Sequence, residues 1–175
     1  MPEASHGRWE PDFDADERTM VTGFLDYHRA TLRWKVEGLT QEQMNQTTAA
    51  SDLTLAALVK HMALVEDSWF TERFAGLPEP EPWAAVDWEA DRDWEMHSAV
   101  HDSPADLLAL YDTACARSRA IIDAASSLDQ HHTGEGWDRG PLTLRWILLH
   151  MIEETARHNG HADLLREAID GVTGE

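Results

Sequence analysis

Four stretches of about twenty residues, each with apolar side chains returning every three or four positions, constrain this chain more than any other feature of its sequence. From Glu17 to about Glu37, Met20, Phe24, Tyr27, Ala30, Leu32 and Trp34 keep that spacing, although Gly23 weakens the helix by roughly 1 kcal/mol relative to alanine. The helix should end at Gly38. A second segment runs from about Leu55 to Phe74 on Leu55, Leu58, Val59, Met62, Val65, Trp69 and Phe70, stopped by Gly76 with Pro78 beyond. The third opens with Ser103 as N-cap and Pro104 in its first turn, and Leu107, Leu108, Tyr111, Ala114, Cys115, Ser118, Ile121 and Ile122 carry it to about Ser127. The fourth begins near Thr143 and continues through Ile147, Leu148, Met151, Ile152, Thr155, His158 and Ala162 to about Ile169, closed by Gly171. With no strand-like alternation and no repeat, the pattern predicts an all-α protein, a four-helix bundle with long crossover connections.

The connections differ in character. Leu39 to Leu53 is polar, with one short turn over LTQEQM, and Leu128 to Gly140, ending in GEGWDRG, is a second connector. Leu77 to Ser103 is a long acidic insertion carrying Trp83, Trp88 and Trp94, which reads as functional or partly helical because long structureless loops are uncommon in compact domains. Residues 1–16 lack helical period and read as a flexible acidic arm that settles on the body through Trp9 and Phe13, leaving 17–175 as a single domain.

Thirty-three Asp and Glu against 14 Lys and Arg give a net charge of −19, which disfavours nucleic acid and anionic membranes as partners. A disordered acidic chain would not carry 42% hydrophobic residues and eight tryptophans, so the charge must coat a packed core. No run of eighteen apolar residues and no signal-peptide pattern is present, and a cytoplasmic protein with no membrane span is expected. The single cysteine, Cys115, cannot form an internal disulfide and lies on an apolar helix, where an unreactive core thiol is expected. Any bound metal must then rely on histidine and carboxylate.

Ten histidines are present, five of them on the predicted helices. The run HMIEETARHNGH places His150, Glu154 and His158 at successive four-residue intervals, so neighbouring side chains stand about 6 Å apart along one helix face. Glu154 and His158 can grip one ion, as one helical turn spans two adjacent ligand positions. His61 sits mid-helix among Leu58, Val59, Met62 and Val65, an odd place for a polar ring without a partner. The residues alone leave two readings open, since a mid-helix histidine is commonly a hydrogen-bonded core residue and a Glu–His pair one turn apart is commonly a surface ion pair.

The stretches LTLAALVKHMALVEDSWF and LRWILLHMIEETARHNGHADLLREAIDG, separated by the tryptophan-rich insertion, resemble the DinB-like family in its actinobacterial branch of uncharacterised domains, over roughly residues 17–170. Related members include mycothiol-dependent maleylpyruvate isomerase and thiol S-transferases that use mycothiol or bacillithiol. The resemblance implies a four-helix bundle holding a divalent ion on one histidine of the second helix and a pair spaced by four on the last, here His61, Glu154 and His158. It favours Zn²⁺ or Ni²⁺, while two histidines and one carboxylate also suit Fe²⁺. Members often form dimers, so a homodimer is a further expectation. The isomerase carries an additional C-terminal domain that this sequence does not show, and the Arg-Gly-Gln found after the ligand histidine in many members is Asn159, Gly160 and His161 here. His161, seven residues after Glu154, is therefore a candidate to replace Glu154 or join as a fourth ligand, to stand around the ion or at the pocket rim, or to be plain surface, and His150 for core packing or a contact with a ligand.

The expected function is metal-dependent transfer of a low-molecular-weight, mycothiol-like thiol to an electrophilic small molecule, with Trp88 and its neighbours as a pocket wall; no catalytic side chain is identified. The alternatives are a metal-assisted hydrolase or isomerase that activates water, and a non-catalytic metal-binding stress-response protein. Arg145, Arg157 and Arg166 are expected to pair with the abundant acids rather than with substrate.

Overall fold

The structure is a computed structural model that describes residues 8–48, 51–134 and 140–173. Its elements are α1 (Glu17–Val36), α2 (Gln41–Met44), α3 (Leu55–Glu66), a π-helical segment Asp67–Phe74, a 3₁₀ turn Trp83–Ala85, α4 (Trp94–Ser98), a 3₁₀ turn Ala99–His101, α5 (Pro104–Ala124) and α6 (Leu144–Asp170). Among the described residues there is no strand, only isolated bridges at Thr48–Ser51 and His131–Thr143. The fold is all-α, and the four periodic segments of the sequence are its long helices. The chain divides into two compact units, one of residues 1–55 with 148–175 and one of residues 56–147.

In the first unit Asp16 caps α1, its side chain accepting from the Thr19 amide at 3.1 Å. Leu25, Leu32, Val36, Met44, Met151 and Ala162 are buried, so α1, α2 and the greater part of α6 turn apolar faces inward. Arg166 closes the far end of α1, its Nη1 donating to the carbonyls of Lys35 at 2.9 Å and Glu37 at 3.1 Å, which α1 leaves without intrahelical partners. The N-terminal arm does not dock as the sequence suggests. Phe13 is 98% exposed and Trp9 half exposed, whereas Arg8 is buried with its guanidinium 4.5 Å from the Trp34 ring centre and 5.2 Å from that of Tyr27. A cation between two aromatic faces keeps electrostatic attraction and gains packing along its stem, which a lone aromatic side chain without a facing partner cannot match. Gly23 makes room for the arm, because a Cβ there would stand 3.0 Å from the Cβ of Pro11. Residues 1–7 of the arm lie outside the described residues.

In the second unit, the second periodic segment is helical to Phe74 as expected, but from Asp67 onward α3 widens into a π-helix. Asp67 is fully buried there and accepts from Trp83 Nε1 at 2.9 Å and from Arg117 Nε and Nη2 at 2.9 and 2.7 Å. That carboxylate links the π-helical segment, the insertion and α5. The end of the π-helical segment is capped by the second connector, with the Thr133 amide donating to Phe74 O at 2.8 Å and the Gly134 amide to Arg73 O at 3.1 Å. Only glycine fits at 134, since a Cβ would fall 2.0 Å from Glu72 O. The same connector satisfies the first amides of α6, Leu144 donating to Gln130 O and Arg145 to Leu128 O, each at 2.9 Å. Residues 135–139 of the GEGWDRG stretch lie outside the described residues.

The tryptophan-rich insertion is partly helical and anchored. Trp83 is fully buried, the Trp83 and Trp88 rings each meet Trp94 edge to face at centroid distances of 6.4 and 6.5 Å, and Lys60 Nζ sits 4.4 Å from the Trp94 ring centre while pairing with Asp102 at 2.5 Å. Cys115 is a buried free thiol on α5. No described helix is long and apolar enough to cross a membrane.

Candidate functional site

The predicted ligands are divided between the two units, Glu154 and His158 in the first and His61 in the second. On α6, Glu154 and His158 lie one turn apart, half-buried, with Glu154 Oε1 3.2 Å from His158 Nε2. The distance suits a hydrogen bond. It also suits an adjacent pair of ligands on one ion, because donors bound tetrahedrally at zinc–nitrogen and zinc–oxygen lengths stand about 3.3 Å apart. The helix holds both side chains on one face without loop entropy.

The next turn adds His161, exposed, whose Nδ1 is 3.4 Å from His158 Nδ1, the two rings meeting edge to face at 5.4 Å. With Nε2 of His158 directed at Glu154, His161 addresses the opposite edge of the ring, where a partner on the second nitrogen sets the proton position. Asn159, buried between them in sequence, donates from Nδ2 to the His28 carbonyl at 3.0 Å and so fixes the rotation of this stretch of α6 against α1. Burial holds the His28 imidazole below its ordinary pKa. His150 stands apart from the pair, half-buried and 3.8 Å from Glu153.

The third predicted ligand, His61, stands on α3. Its Nδ1 lies 3.0 Å from Oε1 of Glu95, the second residue of α4, which is 5% exposed. A buried carboxylate from the insertion thus provides the partner that a mid-helix histidine among apolar neighbours requires. Sequence reasoning missed Glu95. It lies 34 residues downstream in a stretch with an acid at almost every turn, and nothing in its spacing marks it out from Asp91 or Asp93. Trp88, half-buried, extends the row of rings that passes through Trp94 to Trp83.

The three α6 arginines are engaged with acids, as expected. Arg145 pairs with Asp129, Arg157 with Glu153, and Arg166 with Asp170 at 2.9 Å.

The profile of the mycothiol S-transferase family matches residues 20–171. The chain belongs to that family. The mycothiol S-transferase match begins in α1 and ends just past α6, so it takes in His61, Glu95, Glu154, His158 and His161 alike. A solved structure titled as the conserved protein of locus from Enterococcus faecalis is similar with a TM-score of 0.64 and 18% identity, over 90% of this chain and 99% of that one. At that identity the likeness is one of fold, and it agrees with the all-α, DinB-like architecture of this mycothiol S-transferase family member. Comparison with curated proteins finds no match.

Proposed function

We propose that this protein is a metal-dependent mycothiol S-transferase of the cytoplasm, with one divalent ion, Zn²⁺ by preference, held by His61, Glu154 and His158. The observation that carries the proposal is the 3.2 Å approach of Glu154 Oε1 and His158 Nε2, two donors that one helical turn holds at the separation of neighbouring metal ligands. His61 completes a set of two imidazoles and one carboxylate, a donor set that suits Zn²⁺ and leaves room for a substrate sulfur. When bound, the ion supplies positive charge that pulls the pKa of a thiol beside it well below its ordinary value of roughly 8.5.

The protein's own groups do the rest. Each of His61, Glu154 and His158 stands on a helix rather than on a loop, so each side chain is held by regular backbone. The thiol proton leaves to solvent, the sulfur forms its bond to an electrophilic carbon, and one bond of that carbon breaks with its electron pair: the carbon–halogen bond to release halide, the epoxide C–O bond to an alkoxide that takes a proton from solvent, or the alkene π bond to a carbanion on the neighbouring carbon that takes a proton from solvent. Trp88 offers an apolar face for the electrophile, an alkyl halide, epoxide or activated alkene, and the rate gain comes mainly from holding the two reactants together. Cys115, buried on α5, takes no part.

The experiment is turnover of mycothiol with a chromogenic aryl halide. Wild type and Cys115→Ser are expected to consume both substrates, and His158→Ala to consume neither above background. Turnover of an ester or amide substrate with no thiol present, lost in the same His158→Ala variant, would replace thiol transfer with water activation.

A further inference from the structure

We infer that Glu95 is the positioning residue of His61, holding the imidazole with its proton on Nδ1 and its lone pair on Nε2. The inference rests on the assignment of His61 as a ligand, and deepens it. A carboxylate accepts hydrogen bonds and an imidazole nitrogen either donates or accepts, so the 3.0 Å contact between Glu95 Oε1 and His61 Nδ1 requires the donor to be Nδ1–H. Nε2 is then the nitrogen able to bind a cation, and the ring cannot turn over without breaking a buried, charge-assisted bond.

Three features show that Glu95 is built for this contact. It is buried although it carries a carboxylate, and its second oxygen, Oε2, has no hydrogen-bond partner among the described residues, so the bond to His61 is the one that compensates its burial. Its neighbour Trp94 is locked between Trp83, Trp88 and the ammonium of Lys60, which fixes the start of the short helix that carries Glu95. Lys60 and His61 are consecutive on α3, so two adjacent residues of one helix grip the insertion, one through Asp102 and Trp94 and the other through Glu95. The insertion that would meet the electrophile therefore also sets the ligand geometry.

Nitrogen NMR of imidazole-labelled, metal-free protein at about pH 8.5, two units above the ordinary imidazole pKa of roughly 6.5, reads the tautomer directly. His61 is expected with its proton on Nδ1 in wild type and as a tautomer mixture in Glu95→Gln. Competition with a chelator then reads Zn²⁺ affinity, expected to fall by about 10- to 100-fold in Glu95→Gln. Asp102→Asn, which loosens the same insertion without touching His61, should leave both readouts unchanged. A wild-type His61 protonated on Nε2 overturns the inference, as does a Glu95→Gln affinity equal to wild type, or an equal loss in Asp102→Asn. If wild type binds no Zn²⁺, the proposed function fails while the tautomer measurement still decides the role of Glu95.

Discussion

Arg117 on α5 lays Nε and Nη2 against the two carboxylate oxygens of Asp67, at 2.9 and 2.7 Å, at the residue where α3 gives way to the π-helical segment. Asp67 is fully buried, so removing the guanidinium leaves a carboxylate with the Trp83 indole and the Thr71 hydroxyl as its partners among the described residues. Arg117→Met is expected to cost about 3 kcal/mol of unfolding free energy. Asp67→Asn with Arg117→Met should recover part of that loss, and denaturant unfolding of the single and double variants checks it.

The connector behind this segment makes a purely steric prediction. Gly134→Ala would place a Cβ 2.0 Å from Glu72 O, and the two amides that cap the segment would have to shift. Destabilisation of about 1–3 kcal/mol is expected by thermal or denaturant melting. A variant as stable as wild type would mean that the connector is free to move.

Glu72 predicts a pH dependence. Burial raises its carboxyl above the ordinary value of 4.5, and the nearby Glu79 carboxylate pushes the same way. Glu79 is itself raised by burial and by Asp67. The folded protein therefore holds these protons to higher pH than the unfolded chain does. Their effect on stability turns unfavourable as pH rises from the unfolded value through the raised folded one. Glu72→Gln should raise Tm by about 1–2 °C at pH 7.5 and leave it unchanged at pH 4. Melting curves at the two pH values check both the size and the sign.

The helices were legible in the sequence because burial of one face imposes a period that survives without tertiary information. Leu32, Leu58, Met62, Leu107, Ile147 and Met151 are buried where that period puts them, whereas in α1 Phe24 of the periodic set is 40% exposed and its neighbour Leu25 is the buried residue. Glu154 and His158 were legible for the same reason, since a spacing of four on a helix is a spatial statement. Long-range partners were not. Glu95 for His61, Trp83 and Arg117 for Asp67, and Arg8 for Trp34 each join residues whose separation in sequence carries no periodic signal. The π-helical widening from Asp67 was hidden too, because the apolar pattern through Phe74 is compatible with either winding. Trp9 and Phe13 misled for a physical reason: hydrophobicity favours burial, but an arm docks by whichever side chain finds matching faces, and that was Arg8.

The central claim, that His61, Glu154 and His158 hold an ion at which a thiol binds, is tested most directly by cobalt spectroscopy. Protein loaded with Co²⁺ in place of zinc and then given mycothiol, with no electrophile present, should develop a sulfur-to-cobalt charge-transfer band at one equivalent of metal per chain. The His61→Ala, His158→Ala double variant should show neither stoichiometric metal nor the band. Full Co²⁺ occupancy in the double variant, or a wild-type spectrum indifferent to mycothiol, would contradict the account.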